Sequence, residues 1–236
     1  MINSLNFKNA FISIFQEESW KKRLLLGCLL QLIMFLPLFA FENDTLLLFA
    51  VLESVILLVF LYGYFISTIK ENIDSETFAF PAWNIIKFLK NGIKLIFSQV
   101  VFLIVFYLFI ILFSLILFIP FVFIGNAFGW DELSGWIVIA IVGIIFYYII
   151  IPYLLITLPT SIANYVVEDK FYAFLAFKKM FKIFKKNWKN TLKMLLAIFI
   201  FPLMFIPFFG FYFLMVWADL FAQYTRIVNE NKLEIE

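Results

Sequence analysis

The chain has 236 residues, 65% of them hydrophobic and 14% charged, with a formal charge of +2 and a mean hydropathy of +1.03. Soluble globular chains are nearer half apolar, so this composition predicts a polytopic protein with lipid for much of its solvent. Histidine is absent and Cys28 is the single cysteine, which excludes an intrachain disulfide and a cysteine-based metal site and removes the commonest general base and metal ligand.

The 35 phenylalanines against 8 glycines give a bulky surface, suited to lipid contact and poor for the close helix packing that small-residue motifs allow; no GxxxG is present. Residues 1–23 form an amphipathic lead. Between Leu5 and Glu17, Phe7, Ala10, Phe11, Ile14 and Phe15 share one side of a helix and Asn6, Asn9, Ser13 and Gln16 the other, as expected of a helix lying in the membrane interface. Trp20, Lys21, Lys22 and Arg23 then make an aromatic and basic anchor. The apolar run that follows has no small-x-small cleavage pattern and is read as a retained span from Leu24 to about Phe41, with Pro37 near its far end. Glu42, Asn43 and Asp44 turn the chain into a second span, Leu46 to about Thr68, completing hairpin 24–68.

Segment 70–94 is expected to be a cytoplasmic loop and a short helix, on which Lys87, Lys90 and Lys94 fall within about 60° of one another at 100° per residue. No charged residue occurs from Leu95 to Trp130. About 20 apolar residues cross a hydrocarbon core of roughly 30 Å, so this run predicts a third span, reaching Pro120 and continuing, bent, to Ile124. A loop, Gly125 to Gly135, carries Asp131 and Glu132 only; Trp136 opens a fourth span to about Ile162 that contains Pro152 and Pro159 and closes hairpin 95–162.

Segment 164–190 holds the strongest pattern in the chain. On a helix, Lys178, Lys179, Lys182, Lys185, Lys186 and Lys189 occupy an arc of about 120°, with Phe177, Met180, Phe181, Ile183, Phe184 and Trp188 opposite. Such a helix suits anionic lipid headgroups better than nucleic acid, whose readers usually expose their aromatics. The last apolar stretch, broken by Pro202, Pro207 and Gly210, is read as hairpin 191–225, two short spans followed by a polar tail, 226–236.

Charge placement orients this arrangement. With the amino terminus cytoplasmic and six spans, every one of the 18 lysines and arginines falls in a cytoplasmic segment and none in an outer loop; a five-span reading, in which 191–225 crosses once, would put only Arg226 and Lys232 outside, so these two residues alone favour six over five. The fold class expected is therefore an all-α membrane bundle of six spans in three hairpins plus interfacial helices, multi-pass in the plasma membrane, with both termini cytoplasmic. Phe88-Leu89-Lys90-Asn91 and Phe184-Lys185-Lys186-Asn187 are similar strings, which membrane-entry helices in a lysine-rich chain produce without true repetition.

A set of short motifs resembles a known family. Phe15-Gln16-Glu17-Glu18-Ser19-Trp20-Lys21-Lys22 leading into Gly27, Gly63-Tyr64 late in the second span, and Phe80-Pro81-Ala82-Trp83 followed by Gly92 resemble, in order and spacing, the bacterial and archaeal membrane family known as domain of unknown function 4013. Ala82 stands where that family often has an acidic residue before the tryptophan. The resemblance implies an integral membrane protein without an assigned activity and supplies no catalytic residues.

Polar residues inside apolar spans are the remaining candidates. Glu53, a third of the way into the second span, reads either as a proton or cation site or as a neutral, hydrogen-bonded carboxyl. Thr157, Thr160, Ser161, Asn164 and Glu168 recur at helical spacing beside Pro159, which frees a backbone carbonyl; they read either as oxygen ligands for a cation or substrate or as polar contact between helices. Asp219, two turns inside the last span, is expected to pair with Lys189 or Lys193. No phosphate-binding loop, dinucleotide fingerprint or nucleophile–base constellation occurs, so the chain reads as a non-enzymatic accessory or regulatory membrane module without a cofactor, its partners anionic lipid and other membrane proteins. A small transporter or permease subunit is the alternative.

Overall fold

The computed structural model describes residues 4–34, 44–75, 77–128, 143–144, 151–197 and 209–233. Among them there are helices and no strand: α1 (Phe7–Ser13), a 3₁₀ turn (Ile14–Gln16), α2 (Trp20–Met34), α3 (Asp44–Asn72), α4 (Ile85–Phe128), α5 (Ile151–Glu168), a second 3₁₀ turn (Phe171–Leu175), α6 (Phe177–Leu196) and α7 (Gly210–Leu233). Among the described residues two stretches are long and apolar enough to cross a membrane, Leu47–Asn72 and Ile85–Phe109. The expected turns at Glu42-Asn43 and Pro207 and the loop with Asp131 and Glu132 lie outside the described residues.

Three boundaries differ from expectation. The lysine-bearing segment before Leu95 is no separate helix but the first turns of α4, which runs unbroken for 44 residues and passes through Pro120 to Phe128. Residues Gly125 to Phe128, expected in a loop, are thus helical; a proline removes one N–H, and an apolar helix absorbs that loss by local adjustment. The carboxyl-terminal tail, expected to leave the bundle at Arg226, stays helical to Leu233 because Ile227 and Val228 are still buried against the core.

Helix α7 is the hub. It packs on α1, α2, α3, α5 and α6, and Met215, Val216, Ala218, Leu220, Phe221, Ala222 and Tyr224 are buried, an apolar surface covered by neighbours on several sides. Its first turn meets α2, where the ring of Phe211 occupies the space that a Cβ on Gly27 would need.

The tightest pair is α3 with α4. A Cβ added at Gly63 would run into the carbonyl of Phe88, and one added at Gly92 into the carbonyl of Val59. Two isolated glycines on facing helices therefore let the backbones touch, a close approach that the phenylalanine-rich composition argued against; the small residues are few, but they sit opposite each other. Ser67 and Thr68 donate their hydroxyls to the Gly63 and Tyr64 carbonyls at 2.8 and 2.9 Å, and Asn91 donates across the pair to Ser67 Oγ at 2.9 Å.

Around this crossing the aromatic residues gather. Tyr64 lies with its ring centroid 5.0 Å from Phe88, 5.5 Å from Phe211 and 6.1 Å from Trp83, and the Arg23 guanidinium stands 5.8 Å over Trp83. The spacings and tilts suit the ring quadrupoles. Motifs scattered from residue 20 to residue 92 of the sequence thus meet in one knot, completed by α7.

Candidate functional site

Glu53 and the α5 stripe do not come together. Glu53 is exposed on α3, whereas Thr157, Thr160, Ser161 and Asn164 are buried in α5. The stripe's donors turn inward: Thr160 donates to the Thr157 carbonyl at 2.9 Å, Ser161 to that of Leu158 at 2.8 Å, and Asn164 Nδ2 to that of Ala173 at 2.9 Å. Asn164 so ties α5 to the 3₁₀ turn before α6.

At the end of α5 Asp169 adopts a positive φ of 53°, the left-handed conformation that ends many helices and that usually belongs to glycine or asparagine. Its N–H closes on the Tyr165 carbonyl at 2.8 Å. A carboxylate at this turn gains two partners: Lys70 from the end of α3 at 2.7 Å and Lys94 from α4 at 2.9 Å. Burial alone would raise this carboxyl, but the hydrogen bonds and charges of the two lysines outweigh it and hold it below the ordinary aspartate value. One turn back, Glu168 pairs with Lys179. Lys170, by contrast, points at Tyr172, whose hydroxyl raises it above the usual lysine value.

Helix α6 divides into three strips rather than two. Met180, Asn187, Thr191 and Met194 are buried, Lys178, Lys182, Lys185, Lys186 and Lys189 are exposed, and Phe181 and Trp188, expected opposite the lysines, are exposed at 60% and 48%. The helix kinks at Asn187, whose backbone leaves helical geometry at φ −114°, ψ 25°, and whose amide donates to the Ile183 carbonyl at 3.2 Å. That kink and the Thr191–Tyr224 hydroxyl contact at 2.7 Å set which strip turns toward α7; periodicity alone placed the aromatics opposite the lysines.

Asp219 is buried without a lysine. Ser13 of α1 donates to its Oδ2 at 3.3 Å and Gln223, one turn on, at 3.1 Å, which replaces the expected pairing with Lys189 or Lys193. Gln223 Oε1 in turn accepts the Asn6 N–H at 2.9 Å, so the lead segment is stitched to the hub helix, and Tyr212 repeats the stitch by donating to the Phe11 carbonyl at 2.8 Å. Arg226 reaches the other way. Its Nε donates to the Ile73 carbonyl and its Nη2 to that of Asn72, both at 2.7 Å, and Nη2 also bonds the Ser75 carbonyl; a cation there complements the carbonyl end of α3.

Between these groups lies a cavity of about 430 Å³, lined from α1 by Asn6 and Asn9, from the α3–α4 loop by Ser75 and Thr77, and from α7 by Asp219, Gln223 and Arg226. Both hydrogen bonds to Asp219 go to Oδ2, so Oδ1 has no partner among the described residues. Sequence reasoning found Asp219 and missed its companions, although Asp219, Gln223 and Arg226 at i, i+4 and i+7 form a polar stripe on an otherwise apolar helix. No three His, Cys, Asp or Glu side chains cluster among the described residues.

The family model described as protein of unknown function (DUF4013) matches residues 46–219, well over half of the chain. The chain belongs to that family. The match spans the Gly63–Gly92 crossing, Trp83 and the hub helix as far as Asp219, and starts beyond the Trp20 lead, so in this DUF4013 protein the amino-terminal lid of the cavity lies outside the family range. No curated protein and no solved structure matches the chain.

Proposed function

We propose that this chain is a non-enzymatic accessory or regulatory module of the plasma membrane, six spans in three hairpins with both termini cytoplasmic, whose basic helix rests on anionic headgroups. The observation that carries the reading is charge placement. All 18 lysines and arginines fall on one side of that topology, and moving them across hydrocarbon is costly. Exposed side chains on the outer parts of α3 and α4 support it: Leu52, Ile56, Leu108, Leu112 and Ile116 among them are large and apolar, a continuous surface that water would not tolerate and lipid would. On α6, exposed Phe181 and Trp188 beside the lysines fit the headgroup level, where aromatic and basic residues are both favoured, at roughly 1 kcal/mol per basic residue near an anionic surface. The permease alternative draws on Pro159 and the α5 stripe; the exposure of Glu53 and the burial of that stripe, with Thr160, Ser161 and Asn164 donating to backbone carbonyls, favour the module.

The test is labelling with a membrane-impermeant maleimide in a Cys28→Ser background. Lys90→Cys and Lys182→Cys are expected to react in inverted vesicles and not in intact cells, and Asp131→Cys the reverse. Labelling of either lysine position from outside, or a carboxyl-terminal reporter found outside, overturns the topology.

A further inference from the structure

We propose that the cavity between α1, the α3–α4 loop and α7 is a binding site for a small zwitterion carrying a primary ammonium and an anionic oxygen group. The inference goes beyond the membrane-module reading and does not depend on it. Among the described residues the cavity lining holds one acid and one base, Asp219 and Arg226, and is otherwise mostly neutral amide and hydroxyl. Each of the two is anchored through part of its head and presents the remainder. The Asp219 carboxylate is fixed at Oδ2 by Ser13 and Gln223 and offers Oδ1, an anionic acceptor that a ligand N–H satisfies. The Arg226 guanidinium is fixed at Nε and Nη2 by backbone carbonyls and offers Nη1, a donor suited to phosphate or carboxylate oxygen.

Spacing narrows the ligand further. Seven residues apart, Asp219 and Arg226 share one face of α7, their backbones about 10 Å apart along its axis, so one small ligand on that face meets both. A volume of about 430 Å³ lies toward the small end of ligand pockets, which run from about 300 to 1,000 Å³. Exposed Asn9 and Thr77 edge the mouth, so the ligand enters from a polar phase. The chemistry is that of phosphoethanolamine, met either free in solution or as the headgroup of a lipid.

The experiment uses the full chain in nanodiscs of phosphatidylcholine, titrated calorimetrically with phosphoethanolamine. Saturable binding at one site is expected. Phosphocholine, whose quaternary nitrogen has no N–H for Oδ1, is expected to bind at least tenfold more weakly. Asp219→Asn keeps an oxygen for Ser13 and Gln223 while removing the charge, and is expected to weaken binding at least tenfold with the unliganded melting temperature nearly unchanged. Should that variant fail to fold, Thr77→Trp at the exposed rim blocks the mouth and is expected to abolish binding in a folded protein. Nanodiscs containing phosphatidylethanolamine distinguish the source: loss of binding of the free compound assigns the site to the lipid headgroup, and unchanged binding assigns it to a solute. No saturable binding in either lipid, or binding indifferent to both variants, overturns the proposal.

Discussion

One helix, α3, lives in two environments. From Leu48 to Leu58 most of its large side chains are exposed, Phe49 at 65% and Ile56 at 57%, whereas from Phe60 to Ile69 all but Tyr62 are buried, with Tyr64, Ile66 and Ile69 at 0%. Both halves are strongly apolar, so hydrophobicity does not distinguish them. What differs is shape and hydrogen bonding. The inner half carries Gly63, which admits a backbone, and Ser67 and Thr68, whose hydroxyls bond their own helix and leave a smooth surface for α4 and α7. The outer half is mainly leucine, isoleucine, valine and phenylalanine, which fill space without admitting a neighbour so closely, with one hydroxyl, Ser54, donating to the Met34 carbonyl of α2 at 3.2 Å. In a chain that is apolar almost everywhere, the protein core is marked by its small and hydroxylated residues.

The sharpest way to break this contrast is Gly63→Leu. Its side chain meets the Phe88 carbonyl, which is backbone and has little room to yield, so the cost is expected at the top of the overpacking range, about 3 kcal/mol or more, with loss of the monodisperse folded protein on extraction. Leu52→Ala on the exposed half serves as the control and is expected to change stability by less than about 0.5 kcal/mol. Equal behaviour of the two variants would show that the glycine crossing carries no packing.

A second variant asks what covers the outer half. Ile56→Lys replaces an exposed residue. In water such a change is worth about ±0.5 kcal/mol, whereas near the centre of a membrane span lysine costs about 2.5 to 3.5 kcal/mol. Membrane-integrated yield of the variant, measured beside Leu52→Ala, is expected to fall severalfold. A lysine variant that inserts and melts like its parent places this face in water and removes the main structural support for the topology proposed.

Much of the fold was legible because helix periodicity and long apolar runs are local signals. They located α3 within a few residues, the apolar body of α4 though not its start at Ile85, and the lysine arc of α6. The hub was not legible: α7 reads as the second of two short spans in the last hairpin, and nothing local says that five other helices pack on it. The candidate cavity was legible only at Asp219. Its partner Ser13 lies 206 residues away in the chain, and in the lead helix Ser13 simply looked like part of the solvent face. A buried carboxylate was expected to seek a lysine, but two neutral donors satisfy one of its oxygens and the lysines stay in solvent. Long-range pairing of this kind leaves no trace in the spacing of one sequence.

The smallest expected effect concerns the junction that holds the inner half of α3 in place. Asp169 joins Lys70 of α3 to Lys94 of α4, but its side chain is 55% exposed, so solvent screens the pair and Asp169→Asn is expected to cost no more than about 1 kcal/mol, a drop of roughly 2–4 °C in melting temperature for a chain of this size. Asparagine also tolerates the left-handed backbone at this position, which keeps a conformational cost from confusing the electrostatic one. The sign of the pH dependence follows from the depressed carboxyl. Its contribution is complete above the unfolded aspartate value near 3.9 and is lost as pH falls through the lower folded value, so parent and variant should converge in acid, below about pH 4, and differ at neutrality. Added salt should narrow the neutral difference in the same way. If the two proteins melt together at pH 7, the lysine clamp is an ornament of the surface, and the order of the inner half rests on the glycine crossing and the hub helix alone.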